Sequence, residues 1–393
     1  MTAEINFRYA AEGNEKANTA AVRKLWDYSF KSTDIYDNWY FDNIYQPERT
    51  ICAMSGEEAI AALQLLPYRL RLRGKEHDMR YIVGVVTSPD YRGLGVGRGI
   101  MEHTFAELRK SGVNLAVLLP ACPLFYTKLG FNYGYEENVW DMPLDRLSVF
   151  AEKGGRWREA KIPADIPILD KIYDSMIKKT NGAILRTTAN WQKFLAEYAC
   201  DGGLVRIYND GEKDCGYLLY QLKRDAAVPT FSVRELGYAN AKTKDAAFTF
   251  AAAHTNECCR FHWQSAAADK SYLRSPFQDG ISRRPAVMGR IVDLEKAIAG
   301  TPVNKSLQTE IALKISDRCC PWNDDVYLFH AQNGVLSINK SAQPPEAEMS
   351  IKDFTALYWG LASVSQLDIA VSSSAADKLN AIFPACQNWL NEK

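Results

Sequence analysis

The chain has 393 residues, 47% of them apolar, and its 47 Lys plus Arg are balanced by 47 Asp plus Glu. Zero net charge leaves no long-range field to gather a polyanion, which argues against nucleic acid as a partner, and the apolar share suits large buried cores rather than a disordered chain. No run of 18 or more apolar residues occurs, so no membrane span is expected.

At roughly 100–200 residues per domain, the length predicts two or three domains. The first eight residues are polar and of mixed charge, without the apolar core of a signal peptide. Nine cysteines, an odd count spread along the chain, read as reduced thiols, and the two features together point to the cytoplasm. Residues 20–30 read as an amphipathic helix with Val22, Leu25 and Trp26 on one side. Strands are expected at 50–54, 59–67, 68–73 and 79–87, then a Gly-rich turn, a helix, a strand at 114–119 and a compact segment at 122–134.

A second block begins near Arg156, with helices at 166–178 and 190–197, strands at 203–208 and 216–222, a helix at 245–255 and a strand at 259–264. The order echoes the first block but lacks the Gly-rich turn, as a degenerate copy without the cofactor would. A third block starts near Thr301, with strands at 310–315, 326–330 and 334–339 and helices at 351–360 and 375–383. His254, Cys258 and His262 share a four-residue spacing, but 260–264 reads as strand, which breaks a common helical face, and no metal site is expected.

The chemistry concentrates in 81–101. A β-branched run through Val83, Val85, Val86 and Thr87 suits a buried strand, Pro89 ends it, and glycines follow at 93, 95, 97 and 99. Ile100, Met101, Phe105 and Leu108 then recur at near-helical spacing, and Gly112 is placed to end that helix. Closely spaced glycines entering a helix N-terminus let backbone N–H groups converge on an anion, where the helix dipole adds about half a positive charge. A dinucleotide fingerprint would need Gly where Arg98 or Ile100 stands, and a P-loop would need Gly-Lys-Ser/Thr where the chain has Gly97-Arg98-Gly99.

Arg92-x-x-Gly95-x-Gly97, after a strand and a proline, resembles the pyrophosphate signature of the GNAT acetyltransferases. The resemblance implies acetyl-CoA as cosubstrate. Val85, Val86 and Thr87 would pair with its pantetheine arm, the amides of Gly93, Leu94, Gly95, Val96, Gly97 and Arg98 would hold its pyrophosphate beside Arg92, and an amide near Val85 or Val86 would polarise the thioester carbonyl. A second segment, Phe125-Tyr126-Thr127-Lys128-Leu129-Gly130-Phe131, resembles the F-Y-x-x-x-G-F of the same superfamily and makes Tyr126 the implied general acid for the departing thiolate. A free alkyl amine is mostly protonated at pH 7, so the acceptor pocket is expected to carry aromatics and carboxylates. Trp26, Asp27, Tyr36 and Trp39 lie in the region that flanks the acceptor in such folds.

The three blocks together resemble the enhanced-intracellular-survival acetyltransferases, with further likeness at 285–294, Pro321-Trp322-Asn323 and Leu357-Tyr358-Trp359-Gly360. The implied architecture is α/β: two GNAT folds in tandem, each a mixed central sheet flanked by helices, at 1–145 and 146–290, then a sterol-carrier-protein-like domain at 291–393. The family implies a C-terminal carboxylate as general base. Here that group belongs to Lys393, four residues past the last aromatic, Trp389, with Glu392 or a water chain as the alternative. It also implies a homo-oligomer, trimeric or hexameric, and an acceptor amine on an aminoglycoside-like small molecule or a lysine side chain. The contrasting reading is a CoA-binding scaffold without turnover, or a lipid carrier.

Overall fold

The computed structural model describes residues 4–30, 32–152, 154–277, 279–390 and 392. The chain divides into two units, Met1–Gly134 with Ala286–Cys386 and Tyr135–Pro285 with Gln387–Lys393.

In the first unit β1 (Ile5–Tyr9) is followed by α1 (Glu15–Ser29) and α2 (Asp34–Asn43), capped by the side chains of Asn14 and Thr33, which accept from Ala17 N and Tyr36 N. β2 (Thr50–Ser55), β3 (Glu58–Leu72) and β4 (Lys75–Thr87) then run antiparallel, with β1 outside β2. The sequence divides β3 at Pro67, whereas the structure carries the strand through it. β2 pairs with β3 only as far as Gln64, so Pro67 lies where that ladder has ended and its missing N–H costs no bond there.

α3 (Val96–Lys110) returns the chain so that β5 (Leu115–Leu118) lies parallel to β4, the one parallel pair on the path of this sheet. Beyond β5 come the strand Met288–Ile291 and then β6 (Asn132–Tyr133), both antiparallel. Alternation along β2 sorts the two faces. Cys52 and Met54 pack with Val22, Trp26 and Tyr40 of α1 and α2, while Ile51 and Ala53 pack with Ile100, Met101 and Phe105 of α3.

The same unit holds a smaller sheet, ordered Thr301–Pro302, Val335–Lys340, Asp325–Gln332, Thr309–Ser316 and Ala347–Ser350. The helix Ile351–Trp359 is buried along nearly its whole length and drives Trp359 against Gly134 and Gly289 of the first sheet. Two cations from the β3–β4 turn close helix ends here: Arg73 donates to Leu357 O and Tyr358 O at 2.8 and 2.6 Å, and Lys75 to Lys296 O and Ala299 O at 2.8 and 2.7 Å.

The second unit repeats the plan. Its sheet is ordered Ile281–Pro285, Glu136–Pro143, Arg260–Ala266, Thr230–Tyr238, Asp214–Lys223, Leu204–Asn209 and Arg156–Glu159, and only Thr230–Tyr238 and Arg260–Ala266 are parallel, joined by the helix Ala241–Ala252. The strand beside each parallel pair is supplied reciprocally. Glu136–Pro143, which follows β6 of the first sheet, enters the second, and Met288–Ile291, which follows the last strand of the second, enters the first.

Candidate functional site

β4 is paired with β3 as far as Thr87, but with β5 only at Met79, Arg80 and Tyr81. From Ile82 onward the two parallel strands part, which leaves the β5-facing edge of β4 without that ladder. A bulge accompanies the parting: Gln64 pairs with Val83 and Ala62 with Val86, so Gly84 and Val85 together face Leu63. Gly84 sits at φ +61°, a left-handed conformation that glycine takes at little cost, and a Cβ there would stand 2.8 Å from Trp26 Cζ3. Val85 and Thr87 are half-buried and Val86 is buried.

After a short turn at Pro89–Tyr91, Arg92 is exposed and folds back to donate from Nε to Thr87 O at 3.1 Å. Gly93 and Gly95 take φ of +78° and +83°, and Gly95 is the N-cap of α3 without any side-chain cap. Gly99, bonded to Gly95 O at 2.9 Å, is the first amide of the helix with an i−4 carbonyl, so the amides of Gly95, Val96, Gly97 and Arg98 open outward. Leu94 is exposed, and Arg98 pairs with Glu102 at 2.7 Å along the helix. Four such amides at a dipole's positive end fit a phosphate or diphosphate, and the free edge of β4 fits an extended polar chain. The corresponding turn in the second unit is closed internally: Asn240 Oδ1 accepts from Thr243 N, and Lys244 Nζ is held by the buried Asp269 at 2.8 Å.

Tyr126 lies in α4 (Pro123–Thr127). Phe125 Cζ reaches 3.4 Å from where a Cβ on Gly97 would be, which sets α4 against the first turn of α3. The Tyr126 ring is packed between Phe125 and Phe131, at 5.0 and 5.9 Å between centroids. Burial, with a smaller contribution from Cys122, pushes its hydroxyl up to about 12, so it is a neutral phenol able to donate a proton across the physiological range.

The four residues expected at an acceptor pocket separate in the structure. Trp26 is buried, stacks on Tyr40 at 4.8 Å and donates from Nε1 to Asp37 Oδ1 at 2.8 Å. Asp27 is exposed and ion-paired with Arg23 at 2.6 Å. Tyr36 and Trp39 are half-buried on α2. Lys393 lies outside the described residues. Glu392 is buried in the second unit, where its Oε1 accepts from Arg186 Nε at 2.7 Å, and Arg186 also binds both oxygens of Glu235.

Two features escape the sequence reading, the bulge at Gly84 and the burial of Asp37. Gly84 was hidden in a β-branched run, although a glycine inside a strand is itself a bulge signal. Asp37 was one of several acidic residues near α2, and nothing local distinguishes it as the one that is buried.

Comparison with known proteins follows the same division. Residues 13–134 and 182–291 each match an acetyltransferase (GNAT) domain family, and residues 294–391 match the sterol carrier protein domain. A protein of Streptomyces avermitilis described as an uncharacterized N-acetyltransferase is 20% identical over 361 residues, covering 86% of this chain and 84% of that protein. The crystal structure of a GCN5-related N-acetyltransferase from Anabaena variabilis aligns with a TM-score of 0.84 at 22% identity over 99% of each chain. Eis1 from Mycobacterium abscessus aligns with a TM-score of 0.77 at 14% identity, over 99% of this chain and 100% of its own. At these identities the two structures speak for a shared fold.

Proposed function

We propose that this chain, in which residues 13–134 and 182–291 match GNAT acetyltransferase domains and residues 294–391 a sterol carrier protein domain, is an acetyl-CoA-dependent N-acetyltransferase acting on a primary amine, its site formed by β4, the 92–98 turn and Tyr126. The parting of β5 from β4 after Tyr81 carries this reading, because it opens one edge of a strand that leads directly into the unpaired amides of α3.

The amides of Gly95, Val96, Gly97 and Arg98 bind the pyrophosphate, with Gly93 and Leu94 shaping the turn and Arg92 beside it. Val85, Val86 and Thr87 align the pantetheine arm, which brings an acetyl thioester as the group to be transferred. An amide at Val85 or Val86 donates to the thioester carbonyl, favouring attack by a neutral amine. Tyr126 then gives its phenolic proton to the leaving sulfur, a role worth about 10²–10⁴ in rate. The amine proton needs a base, for which the terminal carboxylate of Lys393 is the candidate.

The acceptor is an aminoglycoside-like amine or a lysine side chain, met on the α1–α2 side by Asp27, Tyr36 and Trp39, whereas Trp26, expected there, is buried behind Gly84. A cytoplasmic homo-oligomer, trimeric or hexameric, completes the proposal. The test is release of CoA thiol from acetyl-CoA with a panel of amines, aminoglycosides and lysine peptides. Binding of acetyl-CoA without thiol release from any of them would replace the enzyme with a non-catalytic CoA-binding protein.

A further inference from the structure

The bulge in β4 is held from behind by a chain of buried contacts. Gly84 leaves no room for a side chain because Trp26 Cζ3 and Gln64 Nε2 stand 2.8 and 3.3 Å from its would-be Cβ. Trp26 is fixed at its other end, where Nε1 donates to Asp37 Oδ1 at 2.8 Å, and the same oxygen accepts from Ser32 Oγ at 2.5 Å. Gln64 is fixed by Tyr40, whose hydroxyl donates to Oε1 at 2.9 Å, and the Tyr40 ring stacks on Trp26 with 21° between planes. Trp26, Tyr40, Asp37 and Gln64 are all buried.

A buried carboxylate needs a reason, since desolvation penalises it unless donors surround it. Asp37 receives an indole N–H and a hydroxyl, and what those bonds immobilise is the ring that backs Gly84. We infer that Asp37 is a positioning residue. Through the Trp26 indole it holds the Gly84 bulge, and so sets the course of Val85, Val86 and Thr87 along the β5-facing edge of β4. This rests on the reading of that edge as the cofactor strand, and it moves Trp26 from the acceptor to the support of the cofactor.

The experiment compares Asp37→Leu, Asp37→Asn and Trp26→Phe in the full chain. Amide hydrogen exchange is followed over 83–87 without ligand, with 325–332 as an internal reference, and CoA affinity is measured by calorimetry. Asp37→Leu and Trp26→Phe each cut the indole–carboxylate bond and should speed exchange at Val85–Thr87 about tenfold, leave 325–332 unchanged and weaken CoA binding by about the same factor. Asp37→Asn keeps an oxygen that accepts the indole N–H and should stay within about twofold of the parent. Unchanged exchange at 83–87 in a folded Asp37→Leu or Trp26→Phe chain overturns the proposal. So does Asn behaving like Leu, or a raised KM for the amine with CoA affinity unchanged, which would return the pair to the acceptor. If the parent chain binds no CoA, the cofactor reading of the edge falls, while local exchange still decides whether Asp37 holds the bulge. Should Asp37→Leu not fold, Trp26→Phe, which retains an aromatic ring on Gly84, carries the test.

Discussion

Phe125 stands with its Cζ 3.4 Å from the position a Cβ on Gly97 would occupy. The contact packs the helix of the proposed acid against the turn proposed to bind the diphosphate.

A side chain branching at Cβ on Gly97 would run into Phe125 and push α4 outward. Gly97→Val is therefore expected to lower acetyl-CoA turnover at least about tenfold and to cost roughly 1–3 kcal/mol of overpacking, whereas Gly97→Ala, which only reaches ordinary contact, should fold with little loss. Steady-state kinetics with thermal melts on the two variants checks the difference.

Tyr126→Phe removes a proton donor and leaves the packing against Phe125 and Phe131 intact. Thiol release should fall about 10²–10⁴-fold with CoA affinity unchanged. Because burial pushes this hydroxyl up to about 12, the parent enzyme should show no alkaline loss of kcat from Tyr126 below about pH 11. A falling limb near the ordinary tyrosine value of 10 that disappears in the Phe variant would contradict the burial argument.

Trp359 should carry much of the attachment between the small C-terminal sheet and the first sheet. Its ring lies 2.3 and 2.5 Å from the would-be Cβ atoms of Gly134 and Gly289. Trp359→Ala is expected to cost about 3–5 kcal/mol and Gly289→Ala about 1–3 kcal/mol. The double variant should cost less than the sum, since removing the ring makes room for the methyl. Urea midpoints of the three variants measure this directly.

Stability should decline on mild acidification through His77. Burial, aided by Lys75, lowers its imidazole from 6.5 to about 4. Between those values the unfolded chain binds a proton that the folded chain refuses, so its contribution is complete above about pH 6.5 and is lost as pH falls toward 4. His77→Leu should flatten the slope of unfolding free energy over that interval, read from urea melts at several pH values.

What the sequence revealed and what it concealed follow from range. The turn of Gly93, Gly95 and Gly97 and the Phe125–Phe131 segment are local patterns, and in the structure they meet where Phe125 packs at Gly97. The echo between the first two blocks was visible in element order, and the paired domain matches bear it out. The strand Thr230–Tyr238 was not visible, because Arg234 and Glu235 interrupt its apolar pattern. In the fold Glu235 is buried against Arg186 and Tyr217, partners far along the chain. Trp26 was picked out as an aromatic in the region that flanks the acceptor, yet its bond to Asp37, eleven residues on, forms only once α1 and α2 pack together. Pairing of Met288–Ile291 with β5 depends on a chain return that no window of sequence contains.

That return governs the order in which the protein can assemble during synthesis. Every strand of the second sheet has been translated by Pro285, whereas the first sheet, begun at Ile5, still lacks the strand Met288–Ile291. At roughly 5–20 residues per second, β5 and β6 wait on the order of ten seconds for their missing neighbour. The first sheet is thus completed after the second, although it begins earlier in the chain, and a nascent chain stalled before residue 288 presents a bare β5 edge to whatever chaperone attends it.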